Sequence, residues 1–335
     1  MSGRTDPAIL HPSHLTIFPT SSQPLTWPYN CEAQKMKAKE ILTERELQQI
    51  TSRNNWLGAS IVLFDWVVII GTFVLVSMYT NPLTILLGVF VLGARQLGLG
   101  VIVHETGHRS FFTSQFWNDL VGNWLAGYWI FSDKDTYMRG HIKHHQNGGT
   151  EQDPDLNNYK SYPVPRSSLK RKFTRDLTGQ LGWRRVRSIY RTLWRLNELS
   201  LATRQYFLRS VGANAVMLLI LTLFGAPWLY LMWVAAFMTS HMLVTRIRQI
   251  AEHAAVPDAF NLDPRLNTRT LYINPLERFF IAPHQVNFHL EHHMLASVPI
   301  YRLETMHKML LENGFYKDIE FQQGYFNLLR RVTYA

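Results

Sequence analysis

The chain has 335 residues, enough for one large domain or two ordinary ones. Charged residues make up 17% of it, below the roughly 25% of soluble proteins, and the apolar residues gather into long runs. One cysteine, Cys31, excludes an intrachain disulfide and a cysteine-built metal site, and is expected to be an ordinary thiol.

Residues 1–40, rich in Pro and Ser at their start and carrying His11 and His14, are expected to be a mobile segment ahead of a single domain over 41–335. No secretory signal is expected, because mostly polar sequence precedes the first apolar run. Thr43 with Glu46 forms a capping box that should open a short helix. Four apolar runs follow, Trp56–Tyr79, Pro82–Val103, Phe207–Gly225 and Pro227–Val244, each close to the ~20 residues that cross a bilayer. The predicted fold is all-α and integral to a membrane, with four transmembrane helices as two hairpins beneath a helical cytoplasmic cap.

Orientation follows from charge. Between Lys160 and Arg195 there are eleven Lys or Arg and a single acidic residue, Asp176, whereas the loops inside the two hairpins carry no charge. The positive-inside rule places the basic segment, both termini and the histidines described below in the cytoplasm. The membrane is expected to be the cell (inner) membrane. The same rule accounts for the net charge of +10 without nucleic acid. An acidic redox partner could also dock on that charge.

Within the first hairpin, Asp65 and Arg95 fall at similar depth, about 15 and 14 residues from its turn, and intramembrane charges are costly unless paired. A structural Asp65–Arg95 contact is predicted, with Gln96 as the substitute partner. The Trp-rich stretch "FWNDLVGNWLAGYWIF" (116–131) is only 16 residues long and contains Asn118, Asp119 and Asn123. It is predicted to be an interfacial or re-entrant helix, which keeps the histidines before and after it on one side.

Fourteen histidines occur in all, and eight of them form three clusters: "HETGH" (His104, His108), "HIKHH" (His141, His144, His145) and "HLEHH" (His289, His292, His293). On a helix, positions i, i+3 and i+4 share a face, so each H-x-x-H-H aims its first and last imidazole the same way. Eight imidazoles exceed the needs of one ion and point to two metals held close together. Ligand type leaves zinc, copper, iron and nickel open. If the fourth span continues as a helix through "TRIRQIAEH", His253 stands about nine residues, or roughly 13 Å, beyond it and becomes a ninth ligand.

Among the rest, His241 is expected to be structural, His284 and His307 to flank the site, and Lys143 to face water. Metal-bound imidazoles usually donate their other N–H to a carboxylate or carbonyl. Glu105, Glu252, Glu291 and Asp153 are the candidates. Adjacent helical residues point ~100° apart, so each glutamate should serve a histidine other than its neighbour.

The three clusters in this order, with "GTEQDPDL" after the second, "RQIAEH" after the last span and "NFHLEHHMLASVP" around the third, closely resemble the membrane fatty acid desaturase and hydroxylase superfamily. The likeness runs from about residue 50 to about 310. It implies two irons that use O2 and two external electrons to abstract hydrogen from an unactivated C–H bond. The electrons would come from a ferredoxin, rubredoxin or cytochrome type of donor. The resemblance also supports His253 as a ligand and gives Asn287 a link to the site through water. Relatives often continue the third box as "LFP", where Met294, Leu295 and Ala296 stand here, and His289 rather than glutamine opens it, against the front-end subgroup.

The expected activity is desaturation of an acyl chain on a membrane lipid or acyl carrier. The alternative is a hydroxylase or ketolase acting on a carotenoid, alkyl or other hydrophobic substrate, which the boxes do not separate from it. A metal transporter or non-catalytic metal-binding protein is remote, because a transporter places its ligands near the bilayer midplane and these clusters lie beyond the span ends.

Overall fold

The computed structural model describes residues 38–317 and 319–335, so the segment that holds His11, His14 and Cys31 lies outside the described residues. Helix α1 (Glu44–Thr51) opens with the reciprocal Thr43–Glu46 capping box. The two longest helices follow, α2 (Asn55–Met78) and α3 (Pro82–Gly107), of 24 and 26 residues. Asn54 caps α2 through two backbone N–H groups, and Asn81 with Pro82 starts α3. Both are long and apolar enough to cross a membrane, as is α7 below. On α2, Leu63, Val67, Ile70 and Val74 point outward at 51–63% exposure, a face suited to lipid rather than water.

The short stretch after α3 is not one helix. It runs as an α-turn (Gln115–Leu120), a π-turn (Val121–Ala126) and a 3-10 turn (Gly127–Ile130), packed against α3. Gly122 permits that approach: a Cβ there would lie 2.2 Å from the Thr106 hydroxyl. The irregular backbone bends the chain back, so the histidines on either side of it meet in one cluster. Helix α4 (Lys134–Asn147) carries the second histidine group, and α5 (Arg166–Leu177) and α6 (Gln180–Trp194) carry the basic segment.

Helix α7 (Leu201–Leu223) is the third of membrane-spanning length. The fourth expected span departs from the sequence reading. It forms α8 (Leu229–Met238) and α9 (Ser240–His253), broken at Thr239, where φ is −122° and ψ −85°. Two hydroxyls account for the break: Thr239 Oγ1 bonds back to the Ala235 carbonyl at 2.6 Å, and Ser240 Oγ donates to Val89 O of α3 at 2.6 Å. Beyond the break, α9 is helical to its last residue, His253, as the "TRIRQIAEH" pattern implies.

The C-terminal part adds α10 (Leu303–Glu312) and short helices at Pro275–Phe280, His289–Met294 and Tyr325–Arg331. The fold is mostly helical but not purely so. Two parallel pairs of two-residue strands, Val164–Pro165 with Thr333–Tyr334 and Leu271–Tyr272 with Gln322–Gln323, tie the C-terminal end to earlier segments. Such short pairings leave no alternating pattern to read.

Asp65 and Arg95 meet at the α2–α3 contact, both essentially buried, with Arg95 Nη1 donating to Asp65 Oδ1 at 2.8 Å. Gln96 instead donates to the Trp233 carbonyl at 2.9 Å. A third group was not foreseen: His284 Nε2 lies 2.8 Å from Asp65 Oδ2. Arg95 also reaches the Phe279 carbonyl and sits over the Phe64 and Phe279 rings. His284 and Gln285 take left-handed backbone (φ 58° and 69°), a conformation costly for non-glycine residues that the surroundings must hold. The ion pair thereby anchors the loop that leads into the third histidine cluster.

Candidate metal centre

All nine predicted histidines converge, and they sort into two groups whose ligand atoms lie within 4.8 Å of one another. His104 and His108 come from the end of α3, His141 and His145 from α4, and His292 from the 289–294 helix; these five form one group. His144, His253, His289 and His293 form the other. The helical geometry explains the division. In each H-x-x-H-H the first and last imidazoles share a group, while the middle one, His144 or His292, crosses to the other.

The Nε2 atoms face each other closely. His104 and His141 stand 2.8 Å apart, His141 and His145 2.9 Å, His145 and His292 3.0 Å, His253 and His289 2.9 Å, and His289 and His293 3.1 Å. Metal–nitrogen bonds of about 2.0–2.1 Å in octahedral or tetrahedral geometry place neighbouring nitrogens about 2.9–3.4 Å apart, so the spacing fits a shared cation. The tautomers agree. His253 Nδ1 can only donate to the Asn267 carbonyl, at 3.1 Å, which leaves a bare lone pair on Nε2 turned toward His289. His108 Nε2 is buried with no hydrogen-bond partner. Lone pairs gathered in this way repel one another unless a positive ion lies between them.

Burial, reinforced by the neighbouring imidazoles, pushes His141, His145, His289, His292 and His293 well below the ordinary histidine value. Burial takes both His108 and His253 down to about 3. Neutral imidazole is the form that binds a metal. His144 differs: burial pulls its pKa down, but the bonded Asp153 carboxylate outweighs that and the net shift is upward.

Behind the imidazoles, Glu105 Oε1 accepts from His104 Nδ1 at 2.9 Å, while its other oxygen takes the Ile300 N–H at 2.9 Å. This departs from expectation, since Glu105 serves its own neighbour. Its helix ends there, and the carboxylate is fixed from the far side by Ile300 and Ser110. Asp153 holds His144 Nδ1 at 2.8 Å and is itself bonded by the Tyr159 hydroxyl. Glu252 Oε1 stands 3.5 Å from His289 Nδ1 and is tied to Arg248 at 2.5 Å.

Two candidates turn elsewhere. Glu291 bonds His307 Nδ1 at 2.6 Å and the Tyr316 hydroxyl at 2.5 Å, and it also takes the Thr270 hydroxyl. It lies on the side of its helix away from the imidazoles, where His307 is its partner. Asn287 Nδ2 donates to the Leu271 carbonyl at 2.9 Å, and its Oδ1 has no partner. His241 lies outside both groups and stacks on Phe237 at 5.7 Å. Lys143 is exposed.

Sequence reading missed Tyr137, stacked on His141 at 5.4 Å, Tyr159, stacked on His253 at 5.1 Å, and the Asn267 carbonyl. Tyr137 was open to reading, since it stands four residues before His141 on α4, whereas Tyr159 and Asn267 reach His253 from other segments and no local spacing marks them.

Comparison with known proteins agrees with this geometry. Over 294 residues the chain is 24% identical to dihydrorhizobitoxine desaturase of Bradyrhizobium elkanii, covering 81% of this chain and 80% of the relative. It is 25% identical to the sn-1 oleoyl-lipid 12-desaturase of Picosynechococcus sp., covering 83% of each. The enzyme of the same description from Synechocystis sp. is also 25% identical, over 66% of each chain. Residues 80–324, nearly three quarters of the chain, match the fatty acid desaturase family along a stretch that includes all nine convergent histidines. The chain therefore belongs to the fatty acid desaturase family, and it is a membrane oxidoreductase.

Proposed function

We propose that the protein is an oxygen-dependent di-iron desaturase acting on an acyl chain carried by a membrane lipid or acyl carrier. The observation that carries this reading is the division of nine buried or part-buried imidazoles into groups of five and four, with lone pairs converging in each. His104, His108, His141, His145 and His292 would hold one iron, and His144, His253, His289 and His293 the other. Bound there, the iron pair supplies activation of O2 with two external electrons and removal of hydrogen from an unactivated C–H bond.

The chain's own part is preorganisation. Glu105, Asp153 and the Asn267 carbonyl accept from Nδ1 atoms, and Glu252 stands 3.5 Å from the Nδ1 of His289, which fixes these rings and presents their Nε2 atoms inward. Burial keeps water from the imidazoles and keeps most of them neutral, ready for a cation. The Asp65–Arg95–His284 cluster fixes the loop before His289, so the third box meets the first two in register.

Four crossings are proposed for the bilayer, with α8 and the first part of α9, to about Val244, making the fourth, the site on the cytoplasmic side, and the cell membrane as location. The basic α5–α6 segment supports that orientation. An external donor of ferredoxin, rubredoxin or cytochrome type would deliver the electrons. Relatives named as desaturases favour loss of two hydrogens over hydroxylation or ketone formation, and two of them are named for an oleoyl lipid.

The test is expression in a host of simple lipid composition, followed by mass spectrometry of fatty acids, pigments and small molecules. A product two hydrogens lighter, dependent on O2 and iron and abolished by His144→Ala, is the expected result. A gain of one oxygen would instead assign hydroxylation. A protein that holds zinc and leaves every lipid unchanged would end the desaturase reading.

A further inference from the structure

Helix α6 presents a face that the histidine centre does not use. Its inner side packs tightly: a Cβ on Gly182 would lie 2.2 Å from the Met238 carbonyl oxygen, at the α8–α9 break. Ile189 and Leu193 rest on the cluster of Tyr128, Tyr206 and Phe207. The chain then passes through a single 3-10 turn into α7, a helix of membrane-spanning length. Helix α6 is thus held level with the start of α7 at Leu201 and the end of α8 at Met238.

The opposite side is unpartnered in a specific way. Trp183, Tyr190 and Trp194 are 58%, 61% and 79% exposed. At about 100° per residue, positions i, i+7 and i+11 fall on one line along the helix, so the three rings form a stripe. Arg184, Arg187 and Arg191 are also exposed and form the adjacent line. Among the described residues none of the three has a carboxylate within ion-pair distance. Arg185, by contrast, turns inward over the Phe237 ring at 4.7 Å.

Rings alone would suggest an apolar partner, and guanidinium groups alone any anion. A stripe of each, side by side on a helix fixed at the ends of membrane helices, matches one chemistry: an anionic headgroup above an acyl chain. An acidic electron carrier would account for the arginines but leave three exposed aromatic rings without a role. We propose that the outer face of α6 binds anionic phospholipid, with phosphates on Arg184, Arg187 and Arg191 and the glycerol–acyl boundary against Trp183, Tyr190 and Trp194.

The full-length protein in nanodiscs of phosphatidylcholine and phosphatidylglycerol tests this without using turnover, so its outcome is separate from that of the desaturase reading. One lipid at a time carries brominated chains, and quenching of tryptophan fluorescence is measured; Trp183→Phe with Trp194→Phe gives the background from the other tryptophans. Each basic group near an anionic surface is worth about a fivefold enrichment, so brominated phosphatidylglycerol should quench the α6 tryptophans at least about fivefold more efficiently. In the R184Q/R187Q/R191Q variant the ratio should fall to about one, whereas R184K/R187K/R191K keeps the charge and should keep the preference. An unchanged ratio in the glutamine variant overturns the proposal, as does its loss in the lysine variant. It is overturned equally if the wild type shows no preference and the glutamine variant only slows reduction by an acidic electron carrier.

Discussion

Replacing Asp65 by asparagine tests how the membrane helices hold the third histidine box. The Asp65 side chain is fully buried, with one oxygen 2.8 Å from Arg95 Nη1 and the other 2.8 Å from His284 Nε2. Gly98 leaves it room, since a Cβ there would come within 2.4 Å of Asp65 Oδ2. Asparagine keeps the volume but removes the charge, leaving the Arg95 guanidinium with neutral acceptors and two rings and no counter-ion. Stripping one partner from a buried ion pair costs about 3–5 kcal/mol, because the remaining charge is desolvated without compensation. At roughly 2–4 °C per kcal/mol, thermal unfolding in detergent should fall by about 6–20 °C. Substituting Asp65→Leu and Arg95→Met together removes both charges and should recover most of the loss. A second readout follows from His284. Freed from Asp65, the left-handed His284–Gln285 backbone should relax, and metal bound through His289 and His293 should dissociate faster than metal bound through His104 and His108. If Asp65→Asn lowers stability by less than about 1 kcal/mol, or the double substitution is as costly as the two singles combined, the reasoning fails.

The division of the histidines predicts metal stoichiometry. His253→Ala should reduce bound iron from about two ions to about one by emptying the group of four, while His241→Ala should leave it unchanged, as element analysis of purified protein can show. Asp153→Asn removes the acceptor behind His144 and should weaken metal affinity by about 10–100-fold in a chelator competition, with little change in protein yield. The metal-stripped protein should lose stability in acid. His108 and His253 titrate near 3 when folded, so below about 6.5 the unfolded chain takes up protons that the folded one refuses. For these two groups alone the loss is on the order of 3 kcal/mol at pH 5.5, and it grows until the pH nears 3. A midpoint of unfolding that does not move between pH 7 and pH 5 would contradict that linkage, whereas the metal-loaded protein should resist the change.

The chain's own residues determined most of the centre. Histidines at i and i+4 in three clusters, with an i+3 member in two of them, can hardly avoid sharing helix faces, and an apolar run followed by "TRIRQIAEH" carries His253 to the same level. The Asp65–Arg95 pair was legible for a similar reason, because two charges at equal depth in a hairpin have few other partners. Tertiary structure alone decided that the middle imidazoles, His144 and His292, cross to the other group, since that depends on how α4 and the 289–294 helix face each other. It also decided the partners of the carboxylates. Glu291 and Glu252 look alike beside their histidines, yet one faces His307 and the other His289. The break at Thr239 is of the same kind: two hydroxyls find acceptors only because α3 packs beside them, and hydropathy counts a threonine and a serine without seeing what they bond. Local spacing sets where a side chain points on its own helix. Only packing sets what it meets there.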